Sequence, residues 1–300
     1  MSSVPRRLGR IVHVALPPRV AVVVPVKGGP LAKSRLALPH EHRTALADAF
    51  ARDTVAAVRE GLPYAPVLVV TADPLVALWA QEAGCRAVMD PGGGLDAAVA
   101  AGVEVAGSQG GATHVAVLLG DHPALTGPGL AAVLPGLLAA APAVVPDADG
   151  TGTALLVAPL QTGQEVPTRF GAGSAAAHRA LGYREQSPDA PGLRTDVDDA
   201  ASLADAVELG LGRHSRGALA RATLPGVQAT IHHPPATSDD GTGSALLDDG
   251  LEVRVPLDSV VDSGLLHLRP GQRVSIELDA TGRTATRVWV VGIGPGETIR

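Results

Sequence analysis

Three stretches of this chain collect residue types suited to handling phosphate. After an apolar run, Pro25-Val26-Lys27-Gly28-Gly29-Pro30-Leu31-Ala32-Lys33-Ser34-Arg35-Leu36 places Lys27, Lys33 and Arg35 in one glycine-containing loop. Glycines let backbone N–H groups approach a phosphate, and the cations can offset a triphosphate's charge. Lys27 and Lys33 are the only lysines among 24 basic residues, so the loop stands out from an arginine-rich background. The plainer reading is a glycine turn with a solvated basic face. A Walker A loop needs glycine directly before Lys-Ser, and Ala32 holds that position.

The second stretch is Leu118-Leu119-Gly120-Asp121-His122-Pro123 and the third is Arg194-Thr195-Asp196-Val197-Asp198-Asp199. An aspartate just past a buried strand projects into the site end of a sheet, where a hard cation takes oxygen ligands. Asp196 and Asp198 are two apart on an extended segment and face the same side. Like charges so close are costly without a cation between them, so with Asp121 they suit one or two Mg²⁺ ions. The competing reading makes Asp121 the cap of its own turn, and one of Asp196, Asp198 or Asp199 the cap of a helix starting near Ala200.

Two further turns carry glycines and hydroxyls: Asp149-Gly150-Thr151-Gly152-Thr153 and Arg169-Phe170-Gly171-Ala172-Gly173-Ser174. The second opens a predicted helix, and together they could seat a small phosphorylated acid. In Gly92-Gly93-Gly94-Leu95-Asp96, the carboxylate either accepts from guanine's ring N–H and amino group or N-caps its helix. Adjacent His232 and His233 on a strand face opposite ways and make a poor metal pair. His122 and His178 are read as supporting or surface groups, and Cys85 as a buried structural thiol.

These positions need a scaffold that brings strand ends together. Continuous apolar runs at 20–26, 66–71 and 114–119 alternate with helical stretches at about 40–60, 74–83, 95–106 and 127–140. A short strand near 86–89, strands at 143–146 and 153–158, and helices near 173–181 and 200–209 complete the unit. The alternation predicts an α/β fold with a mostly parallel sheet covered on both faces, and ligands at its strand ends. Past Leu224-Pro225-Gly226 the pattern changes to VQATIHH, SALL, LEVRVPL, RVSIEL and TRVWVVGI, separated by Gly turns. That predicts a small all-β barrel without a good helix. The expected domains are 20–222 and 226–294, with residues 1–19 a flexible arm.

The composition narrows the function. A hydrophobic fraction of 46% against 18% charged supports a real core, and the single cysteine excludes an intramolecular disulfide framework. No apolar run reaches the roughly 18–20 residues of a membrane span, and Ile11–Leu16 is too short for a signal peptide, so the chain is expected to be cytoplasmic. A net charge of −6 argues against a general nucleic-acid partner.

Taken in order, VPVKGGPLAKSRL, GGGLDAAVAAG, LLGDHPAL, DGTGTALL, FGAGSAAAHRAL and LRTDVDDAASL resemble one family. It is the guanylyltransferases of coenzyme F-420 biosynthesis, which join GMP to a phosphorylated three-carbon acid. The resemblance spans about residues 20–215. It implies a Rossmann-like nucleotidyltransferase fold, GTP as donor and Mg²⁺ as cofactor. In bacterial members the acceptor is phosphoenolpyruvate, and archaeal relatives are associated with 2-phospho-L-lactate. It further implies Asp121, Asp196 and Asp198 as metal ligands, and Thr153, Gly171 and Ser174 as phosphoenolpyruvate contacts. Lys33 and Arg35 address the triphosphate and, with Asp121, form the expected catalytic set; Lys27 and Gly28 belong to the nucleotide loop. Asp96 stands where the family typically has Asn, and guanine reading is expected of it.

The carboxyl-terminal segment is similar in layout to a cold-shock OB domain. Such domains stack bases on exposed aromatics, whereas here Trp289 is the only aromatic from residue 225 on, among ten acids and six arginines. A packing or homodimer-support role is expected instead of RNA binding. The rival readings are a P-loop-like NTPase or kinase, a non-catalytic nucleotide- or RNA-binding regulator, and transfer to another phosphorylated small molecule.

Overall fold

The computed structural model describes residues 19–27, 36, 40–108, 111–161, 163, 165–223, 227–235, 241–261, 267–279 and 281–290. Strand β1 (Val20–Pro25) is buried throughout, as its uninterrupted apolar sequence demands of a central parallel strand. There follow α1 (His40–Gly61), β2 (Val67–Thr71), α2 (Pro74–Glu82), β3 (Arg86–Met89), α3 (Leu95–Ser108) and β4 (His114–Leu118). Next come α4 (Gly127–Ala140), β5 (Ala143–Pro146), β6 (Thr153–Pro159), α5 (Ser174–Ala180) and β7 (Arg184–Glu185). The first unit closes with α6 (Pro191–Arg194), α7 (Ala200–Leu209) and α8 (Arg213–Thr223). Of these, β7, α6 and α8 were not expected from the sequence; the first two are too short to show a period.

The seven strands run in the order β3-β2-β1-β4-β6-β5-β7. Strands β1 to β4 are mutually parallel, whereas β6 is antiparallel to both β4 and β5. That reversal matters for the site. Leu118 pairs with Leu155, so Gly120, two residues after Leu118, and Thr153, two residues before Leu155, come to the same rim. The rim therefore combines the carboxyl ends of β1, β3 and β4 with the beginning of β6.

Alternate residues of the strands feed two cores. Val22, Val24 and Val69 pack against Val55 and Val58 of α1 and Leu130 and Leu134 of α4. Ala21, Val23 and Val70 face Ala98, Val99 and Val103 of α3. Helix α8 lies against α1, where Leu46 and Phe50 meet Leu211 and Ala218. The nearly buried Asp53 of α1 accepts the backbone N–H groups of His214 (3.0 Å) and Ser215 (2.7 Å), capping α8 from outside its own sequence.

The carboxyl-terminal unit holds β8 (Val227–His233), β9 (Thr242–Leu247), β10 (Glu252–Pro256), α9 (Leu257–Val261), β11 (Arg273–Leu278) and β12 (Ala285–Val290). Its all-antiparallel sheet, ordered β10-β9-β8-β11-β12, has a core of its own around Ile231, Val255 and Ile276. Two expectations are corrected. Pro256 ends its strand and a short helix follows, seating Val260 in that core. A bulge between Ile231 and His233 defeats strand alternation, and the exposed rings of His232 and His233 lie side by side, centroids 4.1 Å apart and planes tilted by 37°. Trp289 is buried. No helix among the described residues is long and apolar enough to cross a membrane.

Candidate active site

A cavity of about 710 Å³ opens at the rim where β1, β3 and β4 end, a size that suits a nucleotide. Its wall includes Val26 and Lys27 after β1, Asp90 and the Gly92–Gly94 turn after β3, and Gly120 and Asp121 after β4. Gly92, Gly93 and Gly94 have φ of 80°, 91° and 101°. Side chains strain that conformation, so this turn requires glycine and keeps its backbone bare toward the cavity.

At one side of the cavity the carboxylates of Asp121, Asp196 and Asp198 converge, each offering an oxygen within 4.8 Å of the others. Separate elements bring them together. The backbone N–H of Val197 donates to the Asp121 carbonyl (3.0 Å), tying the 195–198 segment to the turn after β4. Asp199 is the helix cap: its side chain accepts from the N–H groups of Ala201 and Ser202 in a capping box, leaving Asp196 and Asp198 to face Asp121. Burial first, then the Asp121 carboxylate, then Asp198 and Asp147, push the Asp196 carboxyl up to about 7 against a backbone hydrogen bond that lowers it. A hard divalent ion relieves both desolvation and repulsion, so an all-oxygen trio of this kind fits Mg²⁺.

Beside the acids, the turn leading into β6 is held from below. Asp147 accepts the N–H groups of Thr151 (2.9 Å) and Gly152 (2.7 Å) on its two oxygens. Nearly buried Thr153 and Ser174 flank fully buried His178, whose Nδ1 lies 2.9 Å from Thr153 Oγ1. The N–H of Ser174 donates to the Gly171 carbonyl (3.1 Å), and that of Ala175 to the Thr151 carbonyl (3.1 Å). Thr153, Gly171 and Ser174 thus belong to one knot of two turns.

Against this geometry, a MobA-like NTP transferase domain matches residues 18–187. The phosphoenolpyruvate guanylyltransferase of Salinispora arenicola is 48% identical over 196 residues, 64% of this chain and 89% of that protein. The chain belongs to the phosphoenolpyruvate guanylyltransferase family. The member from Streptomyces coelicolor is 43% identical over 210 residues, 68% of this chain and 98% of its own. A nucleotidyl transferase structure from Methanothermobacter thermautotroptrophicus is similar at 18% identity and a TM-score of 0.43, covering 64% of this chain and 97% of that one.

As a member of the phosphoenolpyruvate guanylyltransferase family the protein is a nucleotidyltransferase. Asp121, Thr153, Gly171 and Ser174 fall within the domain match, while Asp196, Asp198 and the carboxyl-terminal sheet lie beyond residue 187. Lys27 lines the cavity; Gly28, Lys33 and Arg35 lie outside the described residues. Asp96 is not on the cavity wall. Its Oδ1 accepts from Thr168 Oγ1 (2.7 Å) and the Phe170 N–H (3.0 Å), across to the 168–171 turn. Sequence reasoning missed Asp90, a carboxylate on the wall, and Asp147. A sole acid after a short edge strand carries no spacing signal, and the function of Asp147 depends on a turn that folds back on it.

Proposed function

We propose that this protein transfers GMP from GTP to phosphoenolpyruvate, giving enolpyruvoyl-diphospho-guanosine and pyrophosphate, in coenzyme F-420 biosynthesis. The observation that carries the reading is the meeting, at one rim, of a nucleotide-sized cavity, three convergent carboxylates and the Thr153 turn, in a chain 48% identical to a phosphoenolpyruvate guanylyltransferase. The acceptor's phosphate oxygen attacks the α-phosphorus in line, and the bond to the departing pyrophosphate breaks. Alignment and charge compensation do most of this work. Lys27, with Lys33 and Arg35, is assigned to the triphosphate, and Thr153, Gly171 and Ser174 to the acceptor acid. Asp121, Asp196 and Asp198 would hold Mg²⁺, which when bound screens two anionic reactants from each other and polarises the α-phosphate. An ionised phosphate nucleophile needs little help from a general base.

The domains are read as 20–222 and 226–294. The second is read as a small barrel of cold-shock OB layout, supported by a parallel bridge from Arg254 to Thr284 that joins its two edges. A packing or homodimer-support role is assigned to it. Incubation with Mg²⁺, each nucleoside triphosphate and each of phosphoenolpyruvate and 2-phospho-L-lactate, followed by mass spectrometry, tests the whole reading. GTP with phosphoenolpyruvate should give the diphospho-guanosine product and pyrophosphate. GDP as product would instead make the protein a kinase or hydrolase.

A further inference from the structure

The 168–171 turn is fastened at two points that its assigned role does not use. From α3, Asp96 Oδ1 accepts Thr168 Oγ1–H and the Phe170 N–H. From α5, His178 Nε2 accepts the N–H of Arg169 at 2.9 Å. An amide N–H can only donate, so Nε2 must be bare and the imidazole proton must sit on Nδ1. Nδ1–H therefore donates to Thr153 Oγ1, 2.9 Å away. With its oxygen accepting from the ring, the Thr153 hydroxyl keeps its own proton for another partner.

We propose that Asp96 and His178 are positioning residues of the acceptor subsite: they lock the 168–171 turn, and His178 presents the Thr153 hydroxyl as a donor to the acceptor's anionic groups. The proposal rests on the acceptor assignment above and moves Asp96 from base reading to acceptor placement. The ring is held from all sides. Phe170 and Tyr183 meet it edge-on at 4.9 Å and 5.7 Å between centroids, and the Tyr183 hydroxyl donates to the Pro167 carbonyl at 3.0 Å.

The same arrangement makes acceptor binding sensitive to acid. Facing the imidazole are the Asp96 carboxylate from α3, the Arg169 amide, the Thr153 hydroxyl from β6, and the Tyr183 phenol, whose pKa burial pushes up to about 12. Burial lowers the His178 pKa, opposed by Asp96 and by the Ser174 backbone. Protonating the ring would set an N–H against the Arg169 N–H and release the turn.

Steady-state kinetics on the full chain, with GTP and phosphoenolpyruvate varied separately, tests the assignment. Removing a hydrogen bond to an anionic ligand costs about tenfold in affinity or more. H178A and D96A should each raise KM for phosphoenolpyruvate by about that factor while KM for GTP stays within about twofold. D96N keeps the accepting oxygen and should recover most of its loss, whereas H178N supplies an amide N–H near Nδ1 but no acceptor in place of Nε2 and should recover only part. D96A should keep the wild-type preference for GTP over ATP. The rise in KM for phosphoenolpyruvate toward low pH should be steeper in wild type than in H178N, the acceptor's own titration being common to both. Should H178A or D96A unfold, ¹⁵N spectra of wild-type histidine still decide: an Nδ1–H neutral tautomer at His178 is expected, and Nε2–H overturns the proposal. An unchanged KM for phosphoenolpyruvate in folded variants, equal rises in both KM values, or loss of GTP preference in D96A would also overturn it. Absence of wild-type turnover with phosphoenolpyruvate would instead strike the assigned reaction, leaving the tautomer measurement standing as a separate result.

Discussion

The three acids illustrate how a single side chain carries opposing demands. In the metal-free protein Asp196 holds its proton up to about pH 7, against 3.8 for an ordinary aspartate. The folded state therefore binds more protons than the unfolded chain between those values, and stability contributed by the protonated form is lost as pH rises through that window. In the presence of a chelator, D196N should be more stable than wild type at pH 8, by roughly 2 kcal/mol after allowance for partial exposure, and the gap should close near pH 4. Urea unfolding at both pH values measures this; parallel pH dependence in the two proteins would refute it. Mg²⁺ should then stabilise wild type and not the variant. D121A should lose at least about a thousandfold in turnover without a lower melting temperature, since the metal-holding role proposed for Asp121 contributes several kcal/mol to the transition state and little to the core. Retained pyrophosphate release would remove Asp121 from the site.

Elements explain why such residues meet. The strands and the longer helices of the first unit are legible because a buried parallel strand has few polar interruptions and its helices carry a steady apolar face. Helix α8 is legible only once α1 is in place, because its first turn is capped by Asp53, 161 residues from His214. D53A should cost about 1–2 kcal/mol in urea unfolding, with GTP turnover per folded molecule preserved. The turn before β6 has a stricter requirement. A Cβ at Gly152 would collide with the Asp147 carboxylate that collects the Thr151 and Gly152 amides. G152A should therefore raise KM for the acceptor acid more than that for GTP, and an equal effect on both substrates would contradict the placement of this turn.

Across the whole molecule, the core around Ile231 and Val255 is distinct from those built on β1 to β7. A chain ending at residue 223 should therefore keep its cooperative unfolding transition and turnover within about threefold of full length, because each core buries its own apolar surface. A large loss would give the carboxyl-terminal sheet a direct part in the site. Residue order alone determined the alternation of buried strands and helices, the change of character near residue 225, and the aspartates suited to a hard cation. Those features are local: periodicity, turn chemistry and side-chain type are written in neighbouring residues. Only the tertiary structure decided that β6 runs backwards to bring Thr153 beside the end of β4, and that Asp199 caps α7 while Asp196 and Asp198 join Asp121. It likewise set Asp96 Oδ1 against Thr168 Oγ1 and the Phe170 N–H. Each outcome depends on which backbone donors a carboxylate or a strand edge meets across dozens of residues, a competition between distant partners that spacing along the chain does not encode.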